Sequence, residues 1–236
     1  MEKNLWVVHY DDVQEFARIA QEVGATGVAI RTDNNLRRAI EVFHPIGIKV
    51  FGWRWPSAKR DAAMHEAKIA VAAFADGMDG YFVDPEGESG ATYDWNQRGL
   101  DSLAREFCAT VSSASEGRIF GVTSHYRAKD IFPHLPWHEF FHYANVLVPQ
   151  AYWRVAQGTV GHGIPSDNYE KSIDFWTTAG GIRSQIEPMA GEIALAKPSE
   201  ILEYVNAAKA HNVRARHFYA YNEHVPQPVW NAIRSA

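Results

Sequence analysis

Two carboxylates, two residues apart, close an apolar run: Asp79-Gly80-Tyr81-Phe82-Val83-Asp84-Pro85-Glu86. Side chains of an extended strand alternate faces with a period of two, so Asp84 and Glu86 project to the same side. Core packing has little use for paired acids at the end of an apolar strand. An active site at the carboxyl end of a sheet or barrel strand does. Neighbouring carboxyls hold different protonation states, as acid-catalysed cleavage of a glycosidic bond requires. In that chemistry Glu86 is the general acid that protonates the leaving oxygen, and Asp84 orients the reacting group. The competing reading is a pair that caps the following loop or a helix terminus. Glu88 has the same parity but lies beyond Gly87 and reads as loop surface.

Other polar and aromatic residues also stand where apolar runs end. Gln150 and Tyr152 share a face and read as substrate contacts, with a hydrogen-bonded plug inside a barrel as the rival reading for Gln150. Glu187 sits on an otherwise apolar run. A buried acid must be paired or protonated, so it has either a partner such as Arg216 or a role at the site. Trp55, Trp153 and Tyr221 are candidate platforms for stacking on a sugar face, whereas Trp53 reads as core. His125 ends another run and is a further candidate contact.

The elements that must carry these residues alternate. Short apolar runs at 5–10, 26–32, 48–55, 80–84, 118–126, 146–152, 184–189 and 213–221 read as strands. Between and after them, amphipathic stretches at 11–23, 34–43, 58–75, 95–113, 137–143, 169–178, 198–211 and 228–235 read as helices. Asp11 or Asp12, Asp33-Asn34 and Lys197-Pro198 serve as start signals. Alternating strands and helices imply a parallel sheet with right-handed crossovers. Eight units in 236 residues favour a single (β/α)8 TIM barrel spanning residues 1–236. Unusual residues follow the strands, while short Gly-rich turns precede them, matching a barrel whose chemistry lies at one end. The loop from Arg154 to Asp167, with Gly158, Gly161 and Gly163, is a candidate flap.

Composition narrows the partners. A net charge of -5 and a pI near 6.1 offer no broad basic face, so nucleic acid is not expected. Eight Trp and ten Tyr suit either a large core or sugar-stacking surfaces. Lone Cys108 reads as a small buried apolar residue. No run approaches the roughly 18 apolar residues of a membrane span, and no leader-like segment opens the chain, so a cytoplasmic location is the default expectation. There is no dinucleotide fingerprint, P-loop, His-Glu-x-x-His or serine elbow, so no cofactor is expected. A metal site would need His9, Asp84, Glu86 and His125 together, and none is expected.

The segment 79–86 resembles the DGxDxDxE signature of family 18 glycoside hydrolases, the chitinase family, on the fourth barrel strand. The resemblance implies that Glu86 is the catalytic acid and that Asp84 holds the substrate's N-acetyl group as it attacks the anomeric carbon. Val148-Pro149-Gln150-Ala151-Tyr152-Trp153 resembles that family's MxY segment, which implies that Tyr152 binds the carbonyl. Phe82 stands where the family has its innermost Asp. The bare Asp-x-Glu also resembles family 25 lysozymes, whose further acids on the first and last strands have loose counterparts in Asp11 and Glu223. Together these imply cleavage of an N-acetylhexosamine-containing oligo- or polysaccharide of the chitin or peptidoglycan type. The alternative is a carbohydrate-binding barrel that has lost hydrolysis, which Phe82 favours and Glu86 opposes.

Overall fold

The computed structural model describes residues 1–154 and 163–236. Eight parallel strands close into a barrel in sequence order: β1 (Glu2–Val7), β2 (Gly27–Arg31), β3 (Lys49–Arg54), β4 (Gly80–Val83), β5 (Ile119–His125), β6 (Val146–Gln150), β7 (Met189–Ala190) and β8 (Ala215–Tyr221). The helices are α1 (Val13–Glu22), α2 (Leu36–Phe43), α3 (Arg60–Ala75), α4 (Asp101–Ser115), α5 (Trp137–Tyr143), α6 (Pro165–Thr178), α7 (Pro198–Ala210) and α8 (Gln227–Ser235). The chain is therefore an α/β protein with the (β/α)8 architecture its alternating pattern predicts. Among the described residues no helix is long and apolar enough to cross a membrane.

Strand alternation divides the apolar residues into two cores. Leu5, Val7, Val28, Ile30, Val50, Tyr81, Val83 and Val122 pack outward in the layer shared with the helices. Trp6, Ala29, Phe51, Trp53, Phe82, Val146, Val148 and Met189 fill the barrel itself. The barrel core is dominated by rings: Trp6 lies 4.9 Å from Phe82 and 5.8 Å from Trp53 between centroids. Such rings fit only where facing positions are small. A Cβ on Gly121 would stand 2.3 Å from the Phe82 ring, so the neighbouring strand must leave that space empty. Several polar groups inside the barrel are paired. The Trp53 indole donates to the Val7 carbonyl at 3.0 Å, and the Trp6 indole donates to His217 Nδ1 at 3.1 Å. His217 Nε2 then lies 3.3 Å from Glu187.

Several boundaries differ from the sequence expectation, among them β1 at Glu2–Val7 and α6 from Pro165, and three differences have a visible cause. The seventh strand is Met189–Ala190, not 184–189, because Arg183–Gln185 turns as a 3-10 helix and Pro188 has no N–H for a ladder. Helix α4 begins at Asp101, and residues 84–100 instead form a loop anchored by buried Trp95. The Trp95 indole donates to the Pro56 carbonyl at 2.9 Å, and its backbone N–H to the Glu86 carbonyl at 2.7 Å. Helix α2 is capped by Asn35, whose side chain accepts from Arg38 N at 3.0 Å, while Asp33 pairs with Arg31 and Arg54. Asp12 caps α1 and α7 starts at Pro198, as the sequence suggests. Of the candidate flap, residues 155–162 lie outside the described residues.

Gly121→Ala is expected to lower stability by about 1–3 kcal/mol in urea or thermal unfolding, through overpacking against Phe82. Adding Phe82→Leu to the same chain is expected to recover part of that loss. An unchanged midpoint for Gly121→Ala would contradict the packing described.

Candidate functional site

Asp84 and Glu86 lie just beyond β4, on backbone pinned from three sides. Asp84 N donates to the Arg54 carbonyl at 2.7 Å, Ser124 Oγ to the Pro85 carbonyl at 2.7 Å, and Trp95 N to the Glu86 carbonyl at 2.7 Å. Neighbouring strand β3, strand β5 and the following loop thus hold this segment extended, and both carboxyls turn into one cavity. From β6, Gln150 Nε2 donates to Asp84 Oδ1 at 2.9 Å and to Glu86 Oε1 at 3.1 Å. Two oxygens accepting from one nitrogen at those lengths cannot be farther apart than the two lengths combined. That is less than the roughly 6.5–9.5 Å that admits a water between acid and base in inverting glycosidases.

The cavity has a volume of about 330 Å³, within the span of small-ligand sites. Its walls are aromatic: Trp6 and Trp53 at the base, with Trp55, Tyr93, Tyr152 and Tyr219 around them. Tyr152 and Tyr219 stack at 5.3 Å with 17° between planes. Gly191 lets the Tyr152 ring approach, since a Cβ there would meet it at 2.4 Å. Trp55 lies under the Arg31 guanidinium, 4.9 Å from ring centroid to Cζ. Arg31 is fixed in turn by Asp33 at 2.6 Å, and Asp33 pairs with Arg54 at 3.0 Å. Burial works against the Asp33 charge, yet the two guanidiniums outweigh it and hold its carboxyl below the usual range. These cations stand behind the cavity wall, and among the described residues no Lys or Arg lines the cavity.

Without a cation beside them, the buried acids hold their protons. Burial is the largest cause, pushing Glu86 up to about 7 and Asp84 well above the carboxylate range. The two carboxyls are within hydrogen-bonding reach of each other, and Asp84 is raised further by the charge on Glu86. Two acids this close, bridged by a neutral amide, titrate as a pair, and burial favours the protonated form of each. Burial also pushes the Tyr152 hydroxyl up, which keeps it a donor. Among the described residues no cluster of three or more His, Cys, Asp or Glu is placed to hold a metal ion.

The cavity brings together Asp84, Glu86, Gln150, Tyr152 and Trp55 from the sequence reading. Four other candidates stand elsewhere. Trp153 is buried, donating to Glu200 at 3.2 Å and packing on Tyr204, so it ties β6 to α7. Glu187 lies at the opposite end of the barrel, because its strand is so short. Its partners are His217 at 3.3 Å and Arg214 at 3.6 Å, rather than Arg216. Tyr221 packs on Phe16 at 4.4 Å, outside the barrel. A register shift between β1 and β8 pairs Leu5 with Phe218 but Val7 with Tyr221, and this extra residue reverses the alternation. Tyr219 takes the place in the cavity that parity assigned to Tyr221. The His125 ring packs on Tyr126 at 5.0 Å and on Phe132 at 6.0 Å, and its Nδ1 accepts from Arg127 N. Asp11 and Glu223 line a separate hollow at the β1–β8 edge, so no lysozyme-like convergence of acids on Glu86 forms.

Sequence reasoning read Trp53 as core and Glu88 as loop surface, whereas both also line the cavity, and it missed Trp6, Thr123, Tyr93, Met189 and Tyr219 there. Alternation along the first and fifth strands offered a route to Trp6 and Thr123. The remaining three depend on loop course, a two-residue strand and a bulge.

No protein-family model matches the chain, and no curated protein does. Among solved structures the barrel is similar to a plant class V chitinase mutant from Cycas revoluta in complex with (GlcNAc)3. The two share 10% identity and a TM-score of 0.71, covering 100% of this chain and 99% of that one. It is also similar to the PgaB (BpsB) glycoside hydrolase domain from Bordetella bronchiseptica, at 10% identity, TM-score 0.67 and coverage of 99% and 98%. A putative deoxyribose-phosphate aldolase from Coccidioides immitis matches at 11% identity and TM-score 0.61, covering 91% of this chain and 79% of that one. The likeness is one of fold: this is a divergent barrel that resembles the TIM-barrel glycoside hydrolases.

The raised acids make a stability prediction. Their protonated forms are favoured by folding, so the cost of burying charge is absent below the usual carboxylate pKa. It grows as pH rises to about 7, where Glu86 ionises in the folded protein. Glu86→Gln is therefore expected to be more stable than the parent above pH 7, by an amount on the order of 3 kcal/mol. Near pH 4 the two should be almost equal. Urea midpoints across that range check the sign, and a difference that shrinks with rising pH would refute it.

Proposed function

We propose that the protein is a glycoside hydrolase acting on an N-acetylhexosamine-containing polysaccharide of the chitin or peptidoglycan type, with Glu86 as general acid. The observation that carries this reading is the close pair of acids, bridged by Gln150, in an aromatic cavity at the carboxyl end of the strands. A general acid works best with a pKa near the working pH, and about 7 suits that task. As Glu86 releases its proton to the leaving oxygen, the Gln150 amide and the Asp84 carboxyl both donate toward the carboxylate left behind. That stabilises the charge where it develops. The close spacing of the acids supports retention of configuration. The sugar's own acyl carbonyl, accepting from the Tyr152 hydroxyl beside Asp84, closes on the anomeric carbon as the leaving oxygen departs with the Glu86 proton. The aromatic walls present faces for the C–H surfaces of sugar rings.

A second reading, a carbohydrate-binding barrel without turnover, is favoured by Phe82. That ring is buried beside Trp6, directly beneath Asp84 on β4, so no acid on that strand supports a charge there.

Hydrolysis of chitin oligosaccharides or peptidoglycan fragments by Glu86→Gln is expected to fall roughly 10²–10⁴-fold while binding persists. In the parent, kcat/KM should decline about tenfold per pH unit above 7, as the Glu86 proton is lost. Sugar binding with no product after long incubation would select the second reading. Undiminished turnover by the variant would remove Glu86 from its role.

A further inference from the structure

We propose that a hollow at the opposite end of the barrel from the acid pair is a second binding site. It takes a small amphipathic anion, one carboxylate or phosphate group on a short apolar body. The site is independent of the glycoside hydrolase reading, since it shares no residue with the cavity of Asp84 and Glu86.

The turns that enter β7 and β8 build its walls, which places it at the amino-terminal end of the strands. Its volume is about 680 Å³, within the span of small-ligand sites. The chain carries a net charge of -5, yet no carboxylate lines this hollow among the described residues, while Arg183, Arg214 and His211 do. Both arginines are held from behind. One Nη of Arg183 lies 3.3 Å from His211 Nδ1, and His211 Nε2 lies 2.6 Å from Glu170. A guanidinium only donates, so Nδ1 is the acceptor and Nε2 carries the proton given to Glu170. The ring is fixed further by stacking on Tyr169 at 5.4 Å. Arg214 Nε lies 3.6 Å from buried Glu187, which His217 braces at 3.3 Å from inside the barrel. Among the described residues Arg183 has no carboxylate partner, and neither guanidinium has a further hydrogen bond. Donors of both are thus positioned and left for a ligand.

The lining says which ligand belongs there. Planar, permanently charged forks suit a carboxylate or phosphate, which accepts from them in pairs. The apolar part of the lining selects the body that carries this anion. Ile173 and Ile186 are each 2% exposed and form a wall continuous with the core. Ile182, next to Arg183 in the chain, is 60% exposed and stands outside that core. A bare inorganic anion leaves this isoleucine in water, and an uncharged apolar molecule leaves the guanidiniums without a partner. A molecule with both parts gains from the ion pair and from covering the apolar surface.

The test is titration calorimetry with octyl phosphate and octanoate, each below its micelle concentration. Octanamide supplies the tail without charge, and inorganic phosphate the charge without a tail. At least one octyl anion is expected to bind roughly tenfold or more tighter than both controls. Comparing the two octyl anions tells phosphate from carboxylate. Arg183→Gln is expected to weaken the bound anion roughly 10–100-fold, the loss of charge-assisted hydrogen bonds. Ile182→Ser should weaken it as well, by loss of apolar cover. A parent that binds neither octyl anion, or binds octanamide or inorganic phosphate as tightly, overturns the proposal. So does an affinity left unchanged by Arg183→Gln or by Ile182→Ser. If Arg183→Gln does not fold, Arg214→Gln gives the same comparison. Failure of both to fold also overturns the proposal, because the guanidiniums would then be structural.

Discussion

The site turns on one amide nitrogen. Gln150 Nε2 donates to both Asp84 and Glu86, and it does so without bringing a charge. An arginine or lysine in that place would hold both acids ionised and draw their pKa values down. The neutral bridge fixes their spacing and leaves burial to set their protonation, which is why Glu86 moves up to about 7 and not below its ordinary value. The nearest cations obey the same constraint from the other side. Arg31 and Arg54 are bound to Asp33 behind the Trp55 wall, where they steady the ring without entering the cavity. Acidity in the cavity is thus a product of where the arginines are kept.

The barrel interior explains why the pair stands without deeper support on its own strand. Phe82 and Trp6 meet at 4.9 Å, and Gly121 opens the room for the Phe82 ring. With that space filled by rings, the polar connection below the cavity runs from Trp6 through His217 to Glu187, on strands one, eight and seven. A histidine accepting at Nδ1 presents its Nε2 proton to Glu187, so the carboxylate faces a donor and is not an isolated buried charge. The chain therefore orients the indole that forms the cavity base. It does not reach Asp84, whose electrostatics come from burial, Glu86 and Gln150.

Much of this architecture was legible in the sequence, for identifiable reasons. Eight alternating apolar runs and amphipathic stretches dictate a closed parallel barrel, and period-two alternation sets Asp84 with Glu86 and Gln150 with Tyr152. The same rule failed at Tyr221 because one extra residue in β8 reverses the faces, which no local composition marks. It failed at Glu187 because Pro188 and a 3-10 turn shorten the strand, so an acid assigned to the mouth belongs to the floor. Trp153 was misplaced because a tryptophan at a strand end fits a core as well as a platform, and its choice depends on Glu200, 47 residues away. Thr123 escaped because a threonine in an apolar strand is ordinary until its hydroxyl is seen to lack a partner.

The outline of the barrel does not choose a chemistry, since it fits both a chitinase and a putative aldolase at about one residue in ten identical. The lining does. Carbon–carbon cleavage through a Schiff base needs a lysine amine in the cavity, made nucleophilic by desolvation. No lysine lines this cavity, and residues 155–162, beside its rim in sequence, contain none. What the cavity offers is a proton donor poised near neutrality, a second acid held beside it by an uncharged clamp, and six aromatic rings. Proton donation to a departing sugar oxygen uses all three, and amine-dependent carbonyl chemistry uses none of them. The proposed glycoside cleavage therefore draws its support from the contents of the cavity, with the fold supplying only the frame that holds them.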